Sequence, residues 1–290
     1  MDQKEYYSFL LSIYAGILFN APTFEEGKDI QIKYEFNCPE FIKLKEQYHL
    51  EQIAGKGSDF KRALRLCRYL APRLKHKSDY DNHIECNSLS LLEYCFEKED
   101  VGINCLNKAK ILEECLLALG IYARRVGQMP CSPYDGDNHV VVEIYDRKLQ
   151  KWIGLDPTYG SYFSNGKEPL SLLEFRKGLG ESQPVSTVLN RQNPTHIEKL
   201  QQRNIGDNWY YAKNSFYFTF DSISTFGEIE DMTSLFVIPK GFDLRRNYIK
   251  NLEYREQCYG MNVKDRIAIA NKSNPKIIST SIWDSPLKKD

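Results

Sequence analysis

Between Gly102 and Gly120 runs INCLNKAKILEECLLAL, and its spacing leaves this part of the chain one conformation. Cys105, Ala109, Leu112 and Leu116 fall at i, i+4, i+7 and i+11, the period of one helix face, so a buried helix is expected. Gly120 suits its end, because glycine adopts the left-handed conformation there without a Cβ penalty. Cys105 then stands in the first turn. Amide N–H groups in that turn lack a carbonyl partner within the helix, and with the positive end of the helix dipole they stabilise a thiolate. The same amides can stabilise an oxyanion formed on an attacked carbonyl. The plainer reading is a small buried hydrophobe, since free cysteine is among the most buried residues. A nucleophile also needs a base.

Two strand-like runs supply candidates for the base and its support. HVVVEIYD (139–146) and KWIGLD (151–156) are joined by RKLQ, a tight connection. His139 opens the first run after the loop CSPYDGDN, which puts it at a sheet edge facing a cleft. Asp156 closes the second, where Pro157 blocks helical continuation. In a hairpin the start of one strand lies opposite the end of the other, with cross-strand neighbours ~5 Å apart. A carboxylate there can hold one imidazole nitrogen while the other nitrogen faces a thiol. Alternatively, Asp156 merely starts a turn, as Asp-Pro commonly does.

These residues together resemble a known family. GINCLNKAKILEECLLALGIYARRV is similar to the nucleophile segment of transglutaminase-like proteins: a Gly, a Cys at a helix start, then a leucine-rich helix ending in G-I-x-A-R. NHVVVEIYD resembles the family's histidine strand, and KWIGLDPTYG its W-x-x-x-D-P-T segment. FKRALRLCRYLAPRLK and LSLLEYCFEK resemble the lead-in more weakly, so the likeness covers about residues 58–165. It implies an α+β, papain-like core in which the Cys-bearing helix packs on an antiparallel sheet. It further implies Cys105 as nucleophile, His139 as base and then acid, and Asp156 as the group that orients the imidazole. Leu106 stands where the crosslinking enzymes of animals carry Trp, and His139-Val140-Val141 replaces the family's common His-Ala-Trp. Both departures argue against assigning crosslinking and leave open hydrolytic or transfer chemistry on an amide, as in the microbial branches.

The rest of the chain fills out the architecture. Its 290 residues suggest one large domain or a core plus an extension. Residues 1–57 are expected as a helix and strand lead-in, with a buried amphipathic helix first and IQIKYEF (30–36) as a strand, followed by a helical stretch from about 40 to 54. Residues 58–180 are expected as the catalytic core. Residues 181–290 read as a polar connector followed by a β-rich extension, with strands at FYFTFDSIS (216–224), SLFVIPKGF (234–242), RIAIA (266–270) and KIISTSIW (276–283). Arg124, in the G-I-x-A-R position, suits a structural ion pair, and Trp152 suits the core. Asn138 suits a turn beside His139. His49, His76, His83 and His196 have no partner pattern.

Composition limits the function. The 39 basic and 39 acidic residues cancel, so no electrostatic footprint for nucleic acid is present. The apolar part of residues 6–24 is short for a membrane span and no cleavage signature follows it. Eight cysteines are spread without a CxxC pair, which suits mostly buried free thiols in a reducing, cytoplasmic setting, although an even number leaves bridges possible. The expected activity is acyl transfer on a peptide or amide substrate through a thioester, hydrolysis more than crosslinking, with no metal or organic cofactor required. Cys, His and Asp are also possible zinc ligands, but the helix-tip position favours a nucleophile. A noncatalytic binding module that keeps the fold is the alternative.

Overall fold

The computed structural model describes residues 2–189 and 208–287. Its first part is helical: α1 (Gln3–Phe19), the short strand β1 (Lys33–Tyr34), α2 (Pro39–Gln47), α3 (Leu50–Ala54), α4 (Asp59–Leu70), α5 (Ser88–Glu97) and α6 (Cys105–Ala118). Then come β2 (Ala123–Met129), β3 (His139–Asp146), β4 (Lys151–Asp156), β5 (Ser161–Ser164), α7 (Leu172–Gly180) and β6 (Ser186–Val188). The C-terminal part holds α8 (Asn208–Asn214), β7 (Tyr217–Asp221), β8 (Ile223–Ser224), β9 (Ser234–Val237), α9 (Leu244–Tyr259), α10 (Lys264–Lys272), β10 (Lys276–Ile277) and a 3-10 turn (Thr280–Trp283).

Among the described residues eight strands form one sheet in the order β10-β9-β7-β2-β3-β4-β5-β6, antiparallel except for β10 on β9. The architecture is α+β, with α6 packed against the sheet. Both faces of that sheet are covered, which explains the nearly continuous apolar run of β3. Val142 and Ile144 point into a core built with α2 to α6, while Val141 points into a second core formed with α7, α8 and the C-terminal segment. His139 shares the parity of Val141 and so begins on the second face.

α6 is enclosed on all sides from Asn107 to Ala118, a stronger burial than one apolar stripe would give. Three of its buried charges are paired: Lys110 with Glu114 at 3.1 Å, and Glu113 with Arg125 of β2 at 3.4 Å. Gly120 ends the helix at φ +69°, with the Ile121 amide donating to Leu116 and the Gly120 amide to Leu117. This is the Schellman arrangement that glycine permits.

Several sequence expectations change in the structure. RIAIA is helical, inside α10, not a strand. Its Ile269 is exposed, so the alternation reflects no sheet face. The described C-terminal part therefore mixes strands with three helices, α8, α9 and α10, and its strands join the main sheet through β7 on β2. In 276–283 strand structure is confined to Lys276–Ile277, and in 30–36 to Lys33–Tyr34. The helical stretch 39–54 breaks at His49, which has φ +50°. α1 buries only Ala15 and Leu18 and leaves Tyr6, Phe9, Ile13 and Phe19 exposed, because α7 and α8 cover one side of it. Much of the expected connector, and His196, lies outside the described residues. All eight cysteines are free thiols, but only Cys67 and Cys115 are fully buried. Among the described residues no helix is long and apolar enough to cross a membrane.

Candidate active site

Asn104 caps α6, its side-chain oxygen accepting from the Asn107 amide at 3.2 Å, so Cys105 is the first residue inside the helix. The thiol is partly buried at one end of a cleft. Burial would raise its pKa, but the hydrogen bond and positive charge of His139, aided by the Val140 amide donating to sulfur, hold it below the ordinary thiol range. The helix tip adds about 0.3–1 kcal/mol, up to ~2 where partly buried.

His139 is 2% exposed and Asp156 is fully buried. His139 Nε2 lies 2.6 Å from Asp156 Oδ2, which leaves Nδ1 for the Cys105 sulfur. Burial alone would lower the imidazole. The Asp156 carboxylate and the Cys105 thiolate outweigh burial and raise it to about 10. Asp156 is held below the usual carboxylate range against its own burial, by His139 and by hydrogen bonds from Tyr211 and the Thr158 amide. The three side chains named from the sequence thus form one hydrogen-bonded chain. The detail of the hairpin differs from the simple expectation. Val142 pairs with Leu155, so extending the register sets Asp156 across from Val141 and diagonal to His139. Such diagonals are ~7–8 Å apart at the backbone, and the two side chains close the gap.

α8 supplies what the sequence reading missed. The Tyr211 hydroxyl donates to Asp156 Oδ2 at 2.7 Å, and the Tyr210 and Tyr211 rings stand edge-on to the imidazole with centroids 5.5 and 6.0 Å away. Lys213 fastens α8 to the loop before His139, reaching Asp135 at 2.9 Å and Asp137 at 3.1 Å. α9 holds the same loop, with the Asn251 side chain donating to the Pro133 carbonyl at 2.8 Å. Two tyrosines after a polar connector carry no local signal of this role. Only the aromatic cluster WYY itself could have drawn notice.

The cleft over Cys105 and His139 has a volume of 570 Å³ and is walled mainly by polar side chains, among them His76, Asn82, Asn104, Asn138 and Tyr210. Larger grooves of 730 and 740 Å³ lie elsewhere, one near Lys28 and Phe242, the other near Leu18 and Arg176, and neither contains a thiol or an imidazole. Lys108, one turn after Cys105, is enclosed. Burial lowers its ammonium to about 8 against the pull of Asp156 and nearby thiols. Among the described residues no group of three or more His, Cys, Asp or Glu side chains is gathered as a metal ion would require. Arg124 forms the expected buried pair with Glu143 at 2.7 Å and stacks on Trp152 at 3.7 Å, so both belong to the core.

A thiol at a helix tip, an imidazole opening a strand and a carboxylate closing the next form an arrangement with which a cysteine can pass acyl groups through sulfur. Residues 46–157 match the Transglutaminase-like superfamily, so this segment of the chain is transglutaminase-like. This family is one of cysteine-dependent acyl transfer and hydrolysis, and its members are typically enzymes. No curated protein and no solved structure matches the chain.

Proposed function

We propose that the protein is a cysteine hydrolase acting on an amide or peptide carbonyl, with Cys105 as nucleophile, His139 as acid and base, and Asp156 as the group that orients His139. The single observation that carries this reading is the Cys105–His139–Asp156 hydrogen-bonded chain, with the thiol lowered and the imidazole raised.

The Cys105 thiolate attacks the carbonyl carbon, and the C=O electron pair moves onto oxygen. As this oxyanion collapses the C–N bond breaks, and His139 gives its proton to the leaving nitrogen. A thioester remains. Water then attacks it while neutral His139 takes a proton, and collapse expels the Cys105 thiolate beside a renewed imidazolium. An amine could replace water, but Leu106 and Val140-Val141 lack the aromatic residues of crosslinking relatives, which favours hydrolysis. Asp156, with Tyr211 and Thr158 on its oxygens, fixes the imidazole with Nδ1 toward sulfur. Eight free thiols suit a reducing, cytoplasmic setting.

The test is a screen of carboxamides and peptides for amine release, with and without an added primary amine. Release that is unaffected by the amine and lost in Cys105→Ala is the expected result. Turnover fully retained in Cys105→Ala overturns the reading, and a folded protein that turns over nothing while binding peptides points to a binding module.

A further inference from the structure

His76 sits on the segment that immediately flanks the nucleophile. Its backbone bridges Ile103 in parallel, with the Lys77 amide donating to the Ile103 carbonyl and the Ile103 amide to the Lys75 carbonyl, both at 3.0 Å. Bridged residues of neighbouring chains run about 5 Å apart. His76 is therefore fixed beside a residue only two positions before Cys105. His76 is among the residues that line the cleft holding Cys105 and His139.

The hydrogen bonding of this ring is incomplete. Nδ1 is buried and has no partner among the described residues. Nearby Asn82 and Asn104 bond each other at 3.1 Å, so they already use part of their capacity. An enclosed N–H with no acceptor is among the rarest features of folded proteins, while an acceptor left bare is better tolerated. This puts the proton on the other nitrogen, Nε2. Burial first, then the charges of Lys108 and His139, push the ring down to about 4, against the opposite pull of Asp156 and Asp137. At neutral pH His76 is a neutral donor that adds no second cation next to the thiolate–imidazolium pair. A neutral imidazole polarising a carbonyl is an established electrophile.

Resting on the triad proposed above, we propose that His76 is a further catalytic residue, its Nε2–H donating to the oxygen of the reacting carbonyl alongside the Cys105 amide. The two donors would meet the negative charge that develops only as the tetrahedral intermediate forms. One such donor typically contributes 10²- to 10³-fold in rate.

Two small probes separate this role from the triad's. Iodoacetamide alkylates sulfur by displacing iodide at a saturated carbon and creates no oxyanion. p-Nitrophenyl acetate acylates sulfur: the S–C bond forms, an oxyanion appears, and the C–O bond breaks to release p-nitrophenolate. In the full-length His76→Phe protein, shown folded by its circular dichroism and melting curve, Cys105 acylation should fall at least tenfold. Alkylation of Cys105 at pH 6 should stay within about twofold, and His76→Gln, which keeps a donor, should recover part of the acylation rate. The proposal is overturned if both rates fall together, if neither falls, if Gln rescues nothing, if wild-type Cys105 is acylated no faster than a free thiol, or if both variants fail to fold. Absence of selective Cys105 alkylation in the wild-type protein would instead remove the triad reading.

Discussion

Tyr211 and His139 meet on one oxygen: the phenol donates to Asp156 Oδ2 at 2.7 Å and the imidazole Nε2 reaches the same atom at 2.6 Å. The carboxylate that orients the imidazole is thus itself oriented from α8, a helix outside residues 46–157.

Tyr211→Phe keeps the ring and removes that donor. A buried hydrogen bond to a charged group suggests a loss of about 1–3 kcal/mol of stability at pH 7. Asp156 has a depressed folded pKa, so the stability it adds is present above its unfolded value of about 3.9 and is lost as pH falls through the lower folded value. The difference between Tyr211→Phe and wild type in urea melts should therefore narrow below about pH 4. Equal stability of the two proteins at pH 7 would show that the contact carries no weight.

Cys105 should be alkylated at about pH 6, where an ordinary thiol of pKa ~8.5 is almost wholly protonated. Burial pushes Cys86 and Cys95 up to about 11 and raises Cys115 and Cys131 as well, so these stay silent. Cys258 is exposed and serves as the control for accessibility. Mass mapping after brief iodoacetamide treatment reads the order directly, and labelling of Cys258 ahead of Cys105 contradicts the ion pair.

The two reactions of Cys105 should differ in pH dependence. Alkylation needs only the thiolate, so its rate should rise through the lowered Cys105 pKa and then stay level. Acyl transfer also needs protonated His139, whose pKa is raised to about 10, so it should fall again only in the alkaline range. An alkaline limb near 6.5, the ordinary histidine value, would mean that Asp156 does not hold the imidazolium.

Replacing triad members should be strongly non-additive. Cys105→Ala and His139→Ala should each cost orders of magnitude in turnover, with the double variant little worse than either. Asp156→Asn should be milder than Cys105→Ala, because the nucleophile survives with a misoriented base. Losses that multiply would indicate three independent residues.

What could be read in advance was local. The i, i+4, i+7, i+11 stripe that starts at Cys105 and runs to Gly120 marks a helix, so the position of Cys105 in its first turn was legible. Strand alternation with an Asp-Pro stop likewise marked His139 and Asp156. Tyr211 lies 55 residues after Asp156, and nothing in a short window encodes which sheet face a later helix will cover. His76 was unreadable for the same reason, since its place depends on a bridge to Ile103, 27 positions away. RIAIA misled because Ile and Ala alternate there, while the pairing that would make a strand is missing and α9 offers a helix to pack on.

The end of the described chain ties down the buried Arg124–Glu143 pair. The Ile282 carbonyl accepts from Arg124 Nη1 at 2.6 Å, Trp283 Nε1 donates to Glu143 at 2.9 Å, and the Asp284 carbonyl accepts from Trp152 Nε1 at 2.9 Å. Ending the chain after Ser279 should strip these partners at once. Each buried donor or acceptor left without its partner costs about 1–3 kcal/mol, and three together are comparable with a whole domain's margin, so soluble expression and a cooperative melt should be lost. A truncated protein that melts like the full one would reduce the segment to decoration.

The enclosure of α6 also governs how the sequence can drift over generations. Glu113 faces Arg125 and accepts from the Ser224 hydroxyl, and Glu114 takes Lys110, the Ser88 amide and the Gly227 amide. A change at either glutamate strands several buried partners, on β2, β8, α5 and the loop after β8. Homologues should therefore show these positions changing in concert, as epistatic sets, while the exposed face of α1 varies freely. The helix that presents the thiol would be inherited as a block.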